Sequence, residues 1–144
     1  MTFHGGAEID AALRDLGRRL AKATTTRAAK KALQPFADAA NAKAPVGKTG
    51  NLAKSYQVGA RSDLTRRQKA MADRPAADEV IVYAGTSHPQ GQQQEFGNRN
   101  HRAQPHARPA WEATREKVLE QLEQDFAADV AKTTERAARR AGKQ

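Results

Sequence analysis

Histidine is the residue type in this sequence that most readily suggests chemistry, because its side chain binds metals and exchanges protons near neutral pH. His101 and His106 lie in one loop, and Glu95 precedes them at a ligand-like offset. His4 and His88 each stand alone. The sequence contains no cysteine that could complete a metal site. We therefore predict no metal and interpret these histidines as exposed loop residues.

The sequence also lacks the patterns that are typical of nucleophilic or acid–base catalysis. Ser55 and Ser87 lack the Gly-x-Ser-x-Gly surroundings that expose a catalytic serine on a sharp turn. No pair of acidic residues is framed by apolar residues that would raise the pKa of one of them. We predict no catalytic residue and no cofactor. A toxin-like enzyme that uses His101 or His106 as a general base is kept as an alternative hypothesis.

The stretch 95–111, EFGNRNHRAQPHARPAW, is the most informative part of the sequence. Gly97 and Asn98 reach left-handed backbone angles easily. Pro105 and Pro109 fix φ, and Pro109 suits the first turn of a helix, where a missing N–H is no loss. We predict a shaped loop that leaves a sheet and enters the C-terminal helix.

Two segments have the composition of β-strands. Residues 80–85, VIVYAG, form a β-branched and aromatic run, and residues 55–60 show strand-like alternation. We predict that the polar and basic residues 61–78 are a long inter-strand excursion, partly helical over 64–72. Residues 95–96 are interpreted as a short strand end.

Two N-terminal helices are predicted, over 7–22 and 27–43. The threonines at 24–26 prefer capping positions and so separate the two helices. Pro35 removes one backbone hydrogen bond, and we expect a kink or a new helix start just before it. The first helix has an apolar stripe formed by Ile9, Leu13, Leu16 and Leu20.

A long C-terminal helix is predicted from Pro109 to about residue 136, followed by a flexible basic tail over 137–144. At ~1.5 Å per residue this helix is about 40 Å long, which is more than a small core can cover. Part of it is therefore expected to contact another subunit or to project from the core. Its apolar stripe consists of Trp111, Thr114, Val118, Leu122, Phe126 and Val130.

Composition indicates a single domain over 1–144 with a small core, since only 38% of the residues are hydrophobic and alanine dominates them. The net charge is +9, and residues 1–61 carry +7 of it. That charge suggests contact with nucleic acid, but helix-turn-helix, zinc-finger and aromatic stacking signatures are missing. No secretion signal or membrane-length apolar run is visible, so we expect a cytoplasmic protein that has no membrane partner.

Several short motifs follow one another in a fixed order, namely AP at 44–45, TGNL at 49–52, V-x-AG at 82–85, EFG at 95–97 and P-x-x-RPA at 105–110. Over about residues 7–130 the sequence is similar to the HK97 gp10-like family of bacteriophage proteins, which are head–tail joining or tail-completion components. The chain departs from the family pattern at Asn98, His106 and Ala107.

The resemblance implies an α+β protomer in which a small antiparallel sheet packs against two N-terminal helices and one long C-terminal helix. Two sets of residues follow from it together with the turn chemistry. The contact set, expected to meet other subunits or partners, is Glu95, Phe96, Gly97, Asn98, Arg99, Pro105, Arg108, Pro109 and Trp111. The turn set, expected to shape the backbone, is Pro45, Gly47, Thr49, Gly50, Asn51 and Leu52.

The resemblance also implies a structural virion protein of the neck or upper tail of a long-tailed phage or gene transfer particle. We expect a homo-oligomeric ring, a hexamer first and a dodecamer second, assembled in the host cytoplasm. Its expected partners are the tail terminator or tail tube protein and the head connector proteins, with non-specific DNA contact in the lumen. The alternative is a sequence-independent nucleic-acid-binding protein whose basic surface lies in residues 14–67.

Overall fold

The computed structural model describes residues 6–142 and has an α+β fold with a two-stranded antiparallel sheet and a long C-terminal helix, as predicted. Residues 1–5, which include His4, and residues 143–144 lie outside the described residues. In chain order the elements are α1 (Gly6–Lys43), a 3-10 turn (Leu52–Lys54), β1 (Tyr56–Ala60), a 3-10 turn (Arg61–Asp63), α2 (Arg66–Met71), β2 (Val82–Thr86), α3 (Gln90–Phe96) and α4 (Ala107–Ala141).

One N-terminal helix replaces the two that were predicted. Thr26 donates its hydroxyl to the carbonyl of Lys22 at 2.8 Å, so this threonine is accommodated inside the helix instead of capping a new one. Pro35 also lies inside α1. The neighbouring Ala32 and Ala37 are fully buried, and we attribute the survival of the helix through the proline to this packing. The predicted apolar stripe at 9, 13, 16 and 20 lies on α1, but those side chains are outside the described part of the structure.

The sheet pairs β1 with β2 from Tyr56 opposite Thr86 to Ala60 opposite Val82. Both predicted strands are present, although β2 begins two residues later than the composition indicated. The connection between the strands contains α2, whose first turn is closed by a capping box between Thr65 and Gln68. Tyr56 belongs to the buried core on the α1 side of the sheet.

The core is small because its buried positions are mostly alanine. α1 and α4 run antiparallel, since Phe36 contacts Trp111 while the earlier residue Lys31 binds the later residue Asp125. α4 is 35 residues long, or about 52 Å, and includes residues 137–141 of the predicted tail. The main hydrophobic cluster consists of Phe36, Ala37, Ala40, Ala44, Leu52, Tyr56 and Ala110.

Among the described residues, no helix combines the length and the apolar character needed to cross a bilayer.

Candidate functional site

The segment from α3 to the start of α4 contains the contact set. Glu95 and Phe96 were predicted as a strand end, but they form the last turn of α3. This helix fits closely against the sheet because Gly91 has no side chain, and a Cβ there would collide with Thr86 Cγ2. The sequence before Glu95 is rich in glutamine and lacks the apolar periodicity that would have revealed a helix.

Glu95 caps the N-terminus of α4. Its carboxylate accepts the backbone N–H of His106 at 2.8 Å, of Ala107 at 2.9 Å and of Arg108 at 3.1 Å. These donors are the N–H groups that lack a partner inside the helix, so the charge also meets the positive end of the helix dipole. Burial alone would raise the pKa of Glu95, but the three backbone donors and His106 outweigh it and hold this pKa below its ordinary value.

His106 is a buried structural residue, only 1% exposed, so the expectation of an exposed loop histidine is wrong here. Its Nδ1 lies 3.1 Å from the carbonyl of Gln104, and its Nε2 lies 2.7 Å from the Tyr56 hydroxyl. In the neutral ring, Nδ1–H donates to that carbonyl and Nε2 accepts from the hydroxyl, so both nitrogens are satisfied. Burial, and next the charge of Glu95, raise the pKa of Tyr56, which keeps the hydroxyl protonated as a donor. His101, in contrast, is exposed as predicted.

A row of edge-to-face rings connects this buried pair to α1. The centroids are 5.4 Å apart for His106 and Tyr56, 6.5 Å for Tyr56 and Phe36, and 5.8 Å for Phe36 and Trp111. Such pairs are favourable beyond the area they bury. The loop end, the sheet and both long helices therefore meet at one aromatic cluster.

The loop between α3 and α4 has a defined shape, as predicted. Gly97 adopts φ 75°, and a Cβ at this position would approach Ala103 N to 2.8 Å. The Asn98 side-chain oxygen accepts the N–H groups of Asn100 and His101, each at 2.8 Å. These contacts within the loop hold its outward-facing residues in place.

The contact set divides into a supporting part and a surface part. Glu95 is buried and Gly97 is half-buried, so they shape the backbone. Phe96 is 61% exposed and carries the Arg108 guanidinium 4.8 Å above its ring, while Trp111 is 42% exposed. The remaining members are also exposed, namely Asn98, Arg99, Pro105 and Pro109.

The turn set forms a second ordered connection. Gly50 adopts φ 62° and donates its N–H to the carbonyl of Gly47 at 3.1 Å. Asn51 precedes the 3-10 turn without a side-chain capping bond, and Leu52 is buried in the core. Pro45 is half-buried and Thr49 is exposed. The turn therefore anchors the chain in the core between α1 and β1.

The described residues contain no group of three or more histidine, cysteine or acidic side chains that could hold a metal.

Residues 7–97, more than half of the chain, match the family model HK97-gp10_like, described as "Bacteriophage HK97-gp10, putative tail-component". The match covers most of α1, the sheet and α3, and it ends at Gly97, before α4. No curated protein and no solved structure matches the chain.

Proposed function

The chain belongs to the HK97-gp10-like family of bacteriophage tail components, and from this premise we propose that it is a structural protein of the phage neck or upper tail. In this proposal it has no catalytic role. Copies of it form a ring that completes the tail and joins it to the head. The ring is assembled in the host cytoplasm and remains in the virion.

The observation that supports this proposal best is the preordered surface at the start of α4. Phe96, Arg108 and Trp111 are exposed, yet the backbone beneath them is fixed by the buried Glu95 carboxylate. Aromatic and arginine side chains are enriched in protein interfaces. A surface that is already ordered loses little conformational entropy when a partner binds. These features fit a docking surface better than a catalytic site.

The outer face of α4 supports a homo-oligomer. Leu119, Phe126 and Val130 are exposed although they are large and apolar. Copies in a closed ring cover one another through a heterologous interface, in which one patch meets a different patch of the neighbour. A hexamer is the preferred arrangement, and a dodecamer is the second.

The partners in this proposal are the proteins on either side of the ring, the tail terminator or tail tube protein and the head connector proteins. The net charge of +9 fits a lumen through which DNA passes, because positive side chains attract phosphates without reading sequence. No base-specific contact is part of the proposal.

Deletion of the gene tests the proposal. Filled heads and separate tails should accumulate, and a plasmid copy of the wild-type gene should restore complete particles. Normal complete particles in the deletion strain would contradict the proposal. Negative-stain microscopy and titre measure the two outcomes, and mass spectrometry of purified wild-type particles should detect the chain.

A further inference from the structure

The outer edge of β1 is closed by side chains. The Asn41 carboxamide accepts the N–H of Tyr56 at 2.9 Å and donates to its carbonyl at 3.1 Å, so it imitates a neighbouring strand. At the other end of β1, the Asp63 carboxylate accepts the N–H of Ala60 at 2.8 Å. Only Val58, between them, keeps outward backbone groups that no described residue binds. Blocked edges of this kind resist the addition of another strand.

The outer edge of β2 is open. Because the backbone groups of Tyr56 face Asn41, they face away from β2, and Tyr56 and Thr86 are a pair that exchanges no hydrogen bonds. Such pairs alternate along an antiparallel ladder, so the N–H and C=O groups of Ala84 and Val82 also point away from β1. Among the described residues, none binds the outward backbone groups of Val82, Ala84 or Thr86.

A groove of about 380 Å³ lies against the sheet, lined by residues of β1, of β2 and of the connection between them. It occupies the face of the sheet that carries Gly59, Tyr83 and Gly85, since alternate strand residues point to opposite faces. A Cβ at Gly85 would meet no atom within 4 Å, so there is free space above this residue. Met71, which is 83% exposed, lines one wall. Side chains at every second position of an added strand could therefore enter the groove.

We infer that β2 binds an extended segment of a neighbouring particle protein as a third strand. The backbone of that segment pairs with the outward groups of Val82, Ala84 and Thr86, and its alternate side chains enter the groove, whose lining combines apolar residues such as Met71 with polar ones such as Gln57. The unpaired backbone groups demand a partner in extended conformation, and the groove selects its side chains. The β1 edge offers no equivalent site.

The identity of the partner rests on the proposed function. A second copy cannot continue the sheet head to tail, because its β1 edge is blocked by Asn41 and Asp63. Pairing of β2 with β2 of another copy requires a two-fold axis, whereas neighbours in a ring meet through unlike surfaces. Neither strand of a neighbouring copy fits this edge in a ring, and we assign the third strand to a different protein that adjoins the ring.

Amide hydrogen exchange tests this assignment on the wild-type chain. In the free protein, the amides of Val82, Ala84 and Thr86 should exchange rapidly, because no described residue accepts a hydrogen bond from them. In purified particles they should exchange at least about tenfold more slowly. The amides of Gln57 and Gly59, which face β2 in the ladder, should be protected in both samples.

Two proline variants provide a second test with a matched control. Ala84→Pro removes an outward N–H and places the proline ring where the added strand would lie. The hydrogen bonds between β1 and β2 are made by the neighbouring residues Tyr83 and Gly85, so the existing sheet keeps them. Val58→Pro makes the same change on the blocked edge of β1. We expect Ala84→Pro to lower the titre in a complementation assay at least about tenfold, and Val58→Pro to change it much less. Circular dichroism confirms that both variants fold.

Each outcome supports or overturns the inference. Loss of titre with Ala84→Pro alone, together with protection of β2 in particles, supports it. Equal effects of the two prolines, or rapid exchange of β2 amides in particles, overturn it. Protection of β2 in concentrated free protein assigns the edge to a second copy and overturns the partner named here. Absence of the chain from particles overturns the proposed function as well, which separates that failure from the others.

Discussion

Glu95 and His106 are joined by a 2.8 Å hydrogen bond from the backbone N–H of His106 to the Glu95 carboxylate. The same carboxylate closes the first turn of α4, and the ring of His106 reaches Tyr56 in β1. One buried charge thus fixes the end of α3, the start of α4 and their position against the sheet. The exposed contact residues depend on this arrangement.

Replacement of the capping carboxylate should destabilise the protein. Glu95→Gln keeps the shape of the side chain but removes the charge and places an amide donor among three backbone donors. We expect a loss of about 1.5–3 kcal/mol in the free energy of unfolding, as for hydrogen bonds to a charged group. Urea unfolding measures it. Glu120→Gln, at an exposed position on α4, is the control and should change stability by less than about 0.5 kcal/mol.

The same carboxylate should make stability depend on acid pH. The pKa of Glu95 is lower in the folded protein than its ordinary value of about 4.3, so its contribution to stability is present above that pH and is lost as pH falls through the folded pKa. We expect the urea midpoint of the wild type to fall more between about pH 5 and about pH 3 than that of Glu95→Gln. Asp63, whose pKa the Lys30 bond also lowers, is present in both proteins and cancels. Parallel midpoint curves would contradict this role of Glu95.

A side chain at position 97 should strain the loop. Gly97 combines φ 75° with ψ 171°, a backbone region that only glycine occupies readily, and Ala103 N leaves no room for a Cβ. Gly97→Ala should reduce the free energy of unfolding by about 1–3 kcal/mol. The control is Gly47→Ala, where a Cβ would meet nothing within 4 Å and φ is not positive. Thermal unfolding of both variants compares them directly, and equal melting temperatures would show that the loop relaxes freely.

Loss of the tyrosine hydroxyl should leave a buried ring nitrogen without a partner. Tyr56→Phe removes the donor to His106 Nε2, and we expect a loss of about 1–3 kcal/mol, the penalty for an unsatisfied buried polar group. Tyr83→Phe is the matched control, since its hydroxyl bonds the Asp73 carbonyl in an exposed position. The imidazole resonances of His106 should shift in the first variant only. If they do not shift, the hydroxyl is not bound to the ring in solution.

A change on the exposed part of the contact set should impair assembly without unfolding the protein. Phe96→Ser removes an exposed ring whose described contact is the Arg108 guanidinium, so the free energy of unfolding should change by less than about 0.5 kcal/mol. In a complementation assay the titre should fall at least about tenfold, because exposed aromatic side chains are frequent interface anchors. Val46→Ser, which removes an exposed apolar side chain from the other turn, is the control. Equal titres for the two variants would remove Phe96 from the interface.

Sequence patterns correctly predicted the elements that depend on residues close together in the chain. The strand around Val82 follows from β-branched composition, and the bend at Gly97 follows from turn chemistry. The uninterrupted course of α1 through Pro35 was missed, because burial against the rest of the protein overrides the local cost of a proline.

The buried network was beyond the reach of sequence patterns. His106 was assigned to the surface because its partner, Tyr56, is 50 residues away and no periodicity connects them. The open edge of β2 was missed for a similar reason. Which edge of the sheet stays open depends on side chains from outside the strands, because Asn41 and Asp63 bind the edge of β1 and no described residue binds that of β2.

Four buried alanines in the two long helices tolerate little change in size. Ala32, Ala37 and Ala40 of α1 and Ala110 of α4 have no exposed surface. A residue that loses only a methyl group leaves almost no void behind, whereas every larger side chain has to push backbones apart. Glycine would in turn weaken either helix by about 1 kcal/mol per position, so alanine is the residue that suits both the packing and the helix at these four places.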